Sequence, residues 1–210
     1  MITEWYYTSD YSWRITLKQK IEKENYKSID VGATVNYWSY PECKFVADAV
    51  AVSNEGTTFF KINLEDESTY SEVLEYVKNH GKFDYSICVH TIEDVFNPLM
   101  ACRFLEQISH RGCIAIPSKY DEFSKLYDNK YRGNAHHKQF FDISDEYLVT
   151  YPKYSWIEVD ERSDLILKNY KGKELVLFWE ETIPIKIFGD GVPFVGDNSL
   201  IFNYFKELMK

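Results

Sequence analysis

The sequence predicts an α/β protein, a mostly parallel sheet covered by helices on both faces, with antiparallel strands at one edge. Three observations predict it. Short apolar runs alternate with amphipathic ones through about the first 120 residues, the pattern of strands joined by helical crossovers. The tail differs, because YLVTY, WIEV, ELVLFW and IPIKIF are strand-like with no long helix between them. Finally, 210 residues suit one domain, long enough to bury roughly 70% of the unfolded surface in a single core. Within that domain, residues 1–27 read as an N-terminal helical segment. Residues 28–118 read as a cofactor-binding half, and 119–210 as a substrate side with the C-terminal strands.

In chain order, Trp13, Leu17 and Ile21 recur every fourth position between charged residues, so roughly 10–25 reads as a helix capped by Ser9 or Asp10. The first strand follows at Ser28 to Val31. FVADAVAV (45–52) and TTFFKI (57–62) read as the second and third strands. Ser68 to Asn79 reads as a helix with Val73, Leu74 and Val77 on one face and Gly81 past its end. FDYSICV (83–89) is then a central strand. Asn97 and Pro98 open a helix in the favoured cap and first-turn positions, and CIAIP (113–117) is another buried strand. Glycine-rich FGDGVPFVGDN (188–198) reads as a loop before a closing helix from about Asn198 to Met209.

Charge narrows the partners. Lys and Arg number 24 against 33 Asp and Glu, a net charge of −9, with no basic run of the kind that neutralises phosphates. Nucleic acid is therefore not an expected partner. Nowhere do 18 apolar residues follow one another, nor does the N-terminus carry a basic flank and apolar run. The expectation is a cytoplasmic protein with no membrane partner. Cys43, Cys88, Cys102 and Cys113 form no CxxC pair and read as reduced packing thiols. The 17 Tyr, 14 Phe and 5 Trp read chiefly as core, with Tyr37, Trp38 and Tyr40 as possible walls of a pocket.

The most informative stretch is SIDVGATVNYWSYPECKFVAD, 28–48. A strand ends on Asp30 and Val31, Gly32 lets the backbone turn close to a ligand, and Asp48 follows Asp30 at close to the ~20-residue separation at which a carboxylate grips a nucleotide ribose. The glycine pattern departs from GxGxxG, and nothing downstream marks a nicotinamide site, which disfavours a dinucleotide oxidoreductase.

These residues resemble the class I S-adenosylmethionine-dependent methyltransferases, in particular the small methyltransferase-type-11-like proteins. IDVGA resembles their first motif, VAD ending at Asp48 their acidic second strand, FDYSICVHTIEDVFNP their fourth motif, and RFLEQISHRGCIAIP the helix and strand that follow. The resemblance spans about Ser28 to Ser118. It implies a Rossmann-like seven-stranded, mostly parallel sheet whose last two strands form an antiparallel hairpin, with S-adenosylmethionine as cofactor. By resemblance, Asp30, Gly32 and Ala33 would lie at the amino acid end of that cofactor and Asp48 at its ribose. Asn63 and Leu64 would lie at its adenine, and His90 and Thr91 over the methionine portion. Thr34 and Asn36 stand where a full DxGxGxG motif has its second and third glycines.

Methyl transfer is a displacement that needs alignment, and a base only when the acceptor must lose a proton. His90, after the fourth-motif strand, is one candidate for that base, or else a cofactor contact. His136 and His137 in RGNAHHKQF (132–140) are the others. Two adjacent histidines on a regular backbone cannot both face one cleft, so one is expected to face the acceptor. Arg132 and Lys138 flank them as candidate anion holders. Glu93 and Asp94 are expected to favour the start of the next helix. His90, Glu93, Asp94, His136 and His137 are all possible metal ligands, but HxxED spacing matches neither a zincin helix nor an iron triad, so no metal site is expected. The function expected is methyl transfer to a small-molecule or glycan acceptor. The alternative is a catalytically inactive binding or accessory protein, and a homodimer is compatible with either.

Overall fold

A computed structural model describes residues 1–33, 43–50, 56–125, 132–153 and 161–187. Its strands are β1 (Ile2–Thr8), β2 (Ser28–Val31), β3 (Phe45–Asp48), β4 (Thr58–Lys61), β5 (Tyr85–Val89), β6 (Arg111–Pro117), β7 (Gln139–Ser144), β8 (Tyr147–Pro152), β9 (Glu174–Glu180) and β10 (Ile185–Ile187). The α-helices are α1 (Ser12–Glu24), α2 (Ser71–His80), α3 (Pro98–Ile108) and the short α4 (Lys119–Phe123). Tighter 3-10 turns cover Glu67–Tyr70, Ile92–Asp94 and Glu161–Asn169.

Seven strands form one sheet in the order β4-β3-β2-β5-β6-β9-β1. β4, β3, β2, β5 and β6 pair in parallel, and β9 is antiparallel to both β6 and β1. The chain lays β3 and β4 on one side of β2, then returns to place β5 on the other. That reversal opens a crevice at the carboxyl ends of β2 and β5, where open α/β sheets receive ligands.

Period-two alternation in the central strand separates the two faces. Tyr85, Ile87 and Val89 pack with Trp13, Leu17 and Ile21 of α1, whereas Cys88 joins Ile29 and Val31 beneath Val73 of α2 and Ala101, Phe104, Leu105 and Ile108 of α3. Helices thus cover both faces, as expected. Asn97 caps α3 by accepting from the Met100 amide, with Pro98 in the first turn. Among the four cysteines, all are free and buried, and burial raises each thiol above its ordinary pKa.

Four expectations need correction. The N-terminal segment is not helical alone, since β1 precedes α1 and forms the sheet edge, with Tyr6 opposite Val176. Trp5, Tyr6, Tyr7 and Thr8 are strong strand formers, but β1 is a partly exposed edge strand without a clean alternation. The antiparallel hairpin is also different. β9 does lie antiparallel within the large sheet, but its outer neighbour is β1, while β10 pairs in parallel with β8 in a separate three-stranded sheet, β10-β8-β7. Finally, Glu93 and Asp94 do not begin α3; they close the 3-10 turn upstream of its Asn97 cap. Asp10, for its part, does not occupy the cap of α1, which is Tyr11, yet its carboxylate accepts from the Ser12 amide at 2.9 Å. WIEV, the 188–198 loop, the closing helix and Thr34, Asn36, Tyr37, Trp38 and Tyr40 lie outside the described residues.

Candidate functional site

Two clefts meet at the carboxyl edge of the sheet. The first, of about 260 Å³, is lined by Gly32, Asp48, Asn63, Leu64, His90 and Thr91, together with Glu65 and Asp94. Six of the eight residues the resemblance assigns to a cofactor therefore share one cleft. The other two lie behind it. Asp30 is buried within β2, and Ala33 packs with Val46 and Phe59.

Each wall of this cleft has a local cause. Asp48 ends β3 half-buried, where burial raises its carboxyl pKa and hydrogen bonds from the amides of Val50 and Ala49 oppose the rise. The turn after β4 is held by Asn63, whose Oδ1 accepts from the Glu65 amide at 3.0 Å, and by Tyr70, whose hydroxyl donates to the Leu64 carbonyl at 2.8 Å. Glu65 Oε1 then accepts from the Phe96 amide at 2.6 Å and ties this turn to the segment after Asp94. Gly32 has φ +82, and a Cβ there would lie 2.1 Å from Thr91 Oγ1. Only glycine lets the β2 turn and Thr91 approach so closely.

The second cleft, of about 440 Å³, shares His90 and Asp94 with the first and adds Glu93, Asp121, His136, His137, Lys173 and Glu174. His90 is the common wall, and its backbone adopts φ 50, an uncommon conformation for a residue with a side chain. Its Nε2 lies 2.7 Å from Glu174 Oε1. Nδ1 lies 3.3 Å from Glu93 Oε1, an ion-pair distance, although among the described residues neither Glu93 oxygen accepts a well-formed hydrogen bond. Burial pulls the imidazole pKa down, but the two carboxylates outweigh it and raise the value to about 9. With Glu174 and Glu93 beside its two nitrogens, His90 is favoured in its charged form, which forms a cationic wall between the clefts.

Glu174 is 2% exposed and opens β9. It also accepts from Trp13 Nε1 at 3.0 Å and from Arg14 at 2.8 Å, so one carboxylate joins α1, β9 and the end of β5. Sequence reasoning missed it. Its only signal is an acidic residue heading the apolar run ELVLFW.

Both neighbouring histidines line this second cleft, contrary to the expectation from a regular backbone. They sit in a tight turn, closed by the His137 amide donating to the Asn134 carbonyl at 3.2 Å. His136 is exposed and His137 is buried. Burial lowers the His137 pKa, but the hydrogen bond between Nδ1 and Glu122 more than offsets this, and the net direction is upward. Glu122, another residue not singled out in the sequence, also accepts from Lys153 at 2.8 Å. Arg132 is no anion holder. It is fully buried and donates to the Phe123 carbonyl and to Asp164. Lys138 lies over the Phe96 ring and 3.8 Å from Glu65.

Among described residues no helix is long and apolar enough to cross a membrane. No family model matches the chain, and no curated protein is significantly similar to it. Among solved structures the chain is similar to the methyltransferase domain of bacterial CtHen1-CN, with 10% identity, 80% of this chain and 98% of that one covered, and a TM-score of 0.40.

Proposed function

We propose that the chain binds S-adenosylmethionine in the first cleft and transfers its methyl group to a small-molecule or glycan acceptor in the second. One observation carries this reading. Gly32, Asp48, Asn63, Leu64, His90 and Thr91, separated in sequence, line a single cleft at the switch point of the sheet, where a nucleotide cofactor would be expected. The cofactor supplies an activated methyl group. Asp48 accepts hydrogen bonds from ribose hydroxyls, the Asn63–Leu64 turn flanks adenine, and the Thr91 and Gly32 backbone border the methionine portion. An acceptor in the second cleft reaches the first across His90 and Asp94. His137, whose Nδ1 is held by Glu122, and His136 border the second cleft and would contact the acceptor there.

The second reading is a methyltransferase-like protein that binds a partner without catalysis. Thr91 favours it, because its side chain fills the clearance that Gly32 opens. Calorimetric titration with S-adenosylmethionine and S-adenosylhomocysteine, with NAD as the control, separates the two. Micromolar binding of both sulfur ligands, weakened by Asp48→Ala, supports the first. Absence of any binding hands the protein to the second.

A further inference from the structure

We propose that Asp94, His136 and His137 form a binding site for a divalent transition-metal ion on the wall of the second cleft. One donor atom from each lies within 4.8 Å of the others. Donors bound to one ion at ~2.1 Å stand about 3 to 3.5 Å apart, so a small inward movement completes the set. His136 can make it, since its ring is exposed and its Nε2 is 3.9 Å from Asp94 Oδ1.

The independent sign is Glu93. It is 1% exposed and borders the same cleft, yet among the described residues neither of its carboxylate oxygens accepts a well-formed hydrogen bond, nor does Asp94 Oδ1. Buried carboxylate oxygens are ordinarily saturated by donors, and His90 meets only one of these at ion-pair distance. A cation between Asp94 and the two imidazoles would place positive charge beside Asp94 and add to what His90 supplies to Glu93. His137 is already set for the role. Nδ1 is engaged by Glu122, which leaves Nε2 as the ligand atom in the carboxylate–imidazole–metal arrangement.

The donor set decides the class of ion. Two imidazole nitrogens with one carboxylate suit zinc, cobalt, nickel, iron or manganese better than calcium or magnesium, which prefer oxygen alone. Three protein ligands also leave coordination positions open toward the cleft. Spacing could not reveal this site, because its ligands come from the turn after β5 and from the loop before β7 rather than from one helix.

The test is cobalt(II) titration of the full, chelator-stripped chain, followed by visible absorption and calorimetry, with magnesium as the comparison ion. The expected result is saturable binding of one equivalent with ligand-field bands, and little response to magnesium. Loss of a supporting partner weakens metal sites ~10- to 100-fold, so loss of a ligand in Asp94→Asn or His136→Gln should cost at least as much. His136 is exposed and Asp94 only partly buried, which keeps the variants folded. His110→Gln, at an exposed imidazole near Glu181, should bind cobalt as the parent does. Absence of saturable binding, or binding indifferent to both ligand variants, overturns the proposal. Titrating the parent and His136→Gln samples with S-adenosylhomocysteine keeps the two ideas apart, because His136, unlike Asp94, does not line the first cleft.

Discussion

The two clefts share a wall but are built in opposite ways. The first comes from the ends of neighbouring parallel strands and the turns that follow them, all within residues 32–95. The second gathers Tyr11, the turn after β5, α4, the NAHH loop and Glu174 from across the chain. A cleft of the first kind follows from strand order, because each turn after a parallel strand emerges at the same edge. A cleft of the second kind exists only after helix, loop and antiparallel strand have docked. The difference teaches that loss of one side chain should stay local in the first cleft and spread in the second.

The largest effect is expected at Glu174. Glu174→Ala leaves Arg14 and His90 without the carboxylate that both contact, and removal of one member of a buried pair costs ~3 to 5 kcal/mol. Urea denaturation measures it. A loss below about 1 kcal/mol would mean that the network behaves like an exposed ion pair and that the second cleft does not depend on it.

Gly32→Val comes next and sharpens the other half of the comparison. Positive φ costs ~1 to 3 kcal/mol, and the new Cβ collides with Thr91, so the variant should lose stability as well as ligand affinity. The sequence alone predicts loss of cofactor binding without unfolding; the contact with Thr91 is why that expectation changes. Asp48→Ala should be cleaner. Losing a charge-assisted hydrogen bond worth ~1.5 to 3 kcal/mol lowers affinity for S-adenosylhomocysteine by roughly 10- to 100-fold, with the thermal midpoint nearly unchanged. A large stability loss in this variant would show that the first cleft, too, is held by long-range structure.

Acidity reads the shared wall. The His90 pKa is raised from 6.5 to about 9 in the folded chain. The stabilisation from its charged form is therefore full below pH 6.5 and is lost as pH rises through about 9. Thermal midpoints measured from pH 6 to 10 should fall along that interval in the parent and less steeply in His90→Asn. Equal slopes would remove His90 from the account. The smallest structural effect belongs to His136→Ala, whose exposed ring predicts a stability change within ~0.5 kcal/mol and unchanged cofactor affinity, with turnover reduced if the second cleft receives the acceptor.

Much of the parallel half was legible in the residues. β2, β3, β4, β5 and β6 fall on apolar runs bounded by turns, α1 on a four-residue apolar repeat, and the α3 start on Asn97 and Pro98. Their signals are local, since a buried strand or a capped helix writes its burial into consecutive residues. Gly32 and Asp48 were equally readable as a glycine turn and an acidic strand end, whereas Asp30, from which the spacing to Asp48 was counted, is buried within β2. β1 escaped notice because an edge strand facing solvent keeps no alternation, and its pairing with β9 joins opposite ends of the described chain.

What the sequence by itself determined is the succession of strands and helices in a mostly parallel sheet, since each element's burial is written in local patterns. Tertiary structure alone decided that β1 closes the sheet, that Glu174 and Glu93 hold His90 as a cation, that Arg132 is buried, and that His136 and His137 turn into one cleft beside Asp94. The physical reason is distance along the chain. A charge acquires its pKa and its partners from whatever packs against it, and here those neighbours arrive from α1, α4, the NAHH loop and β9.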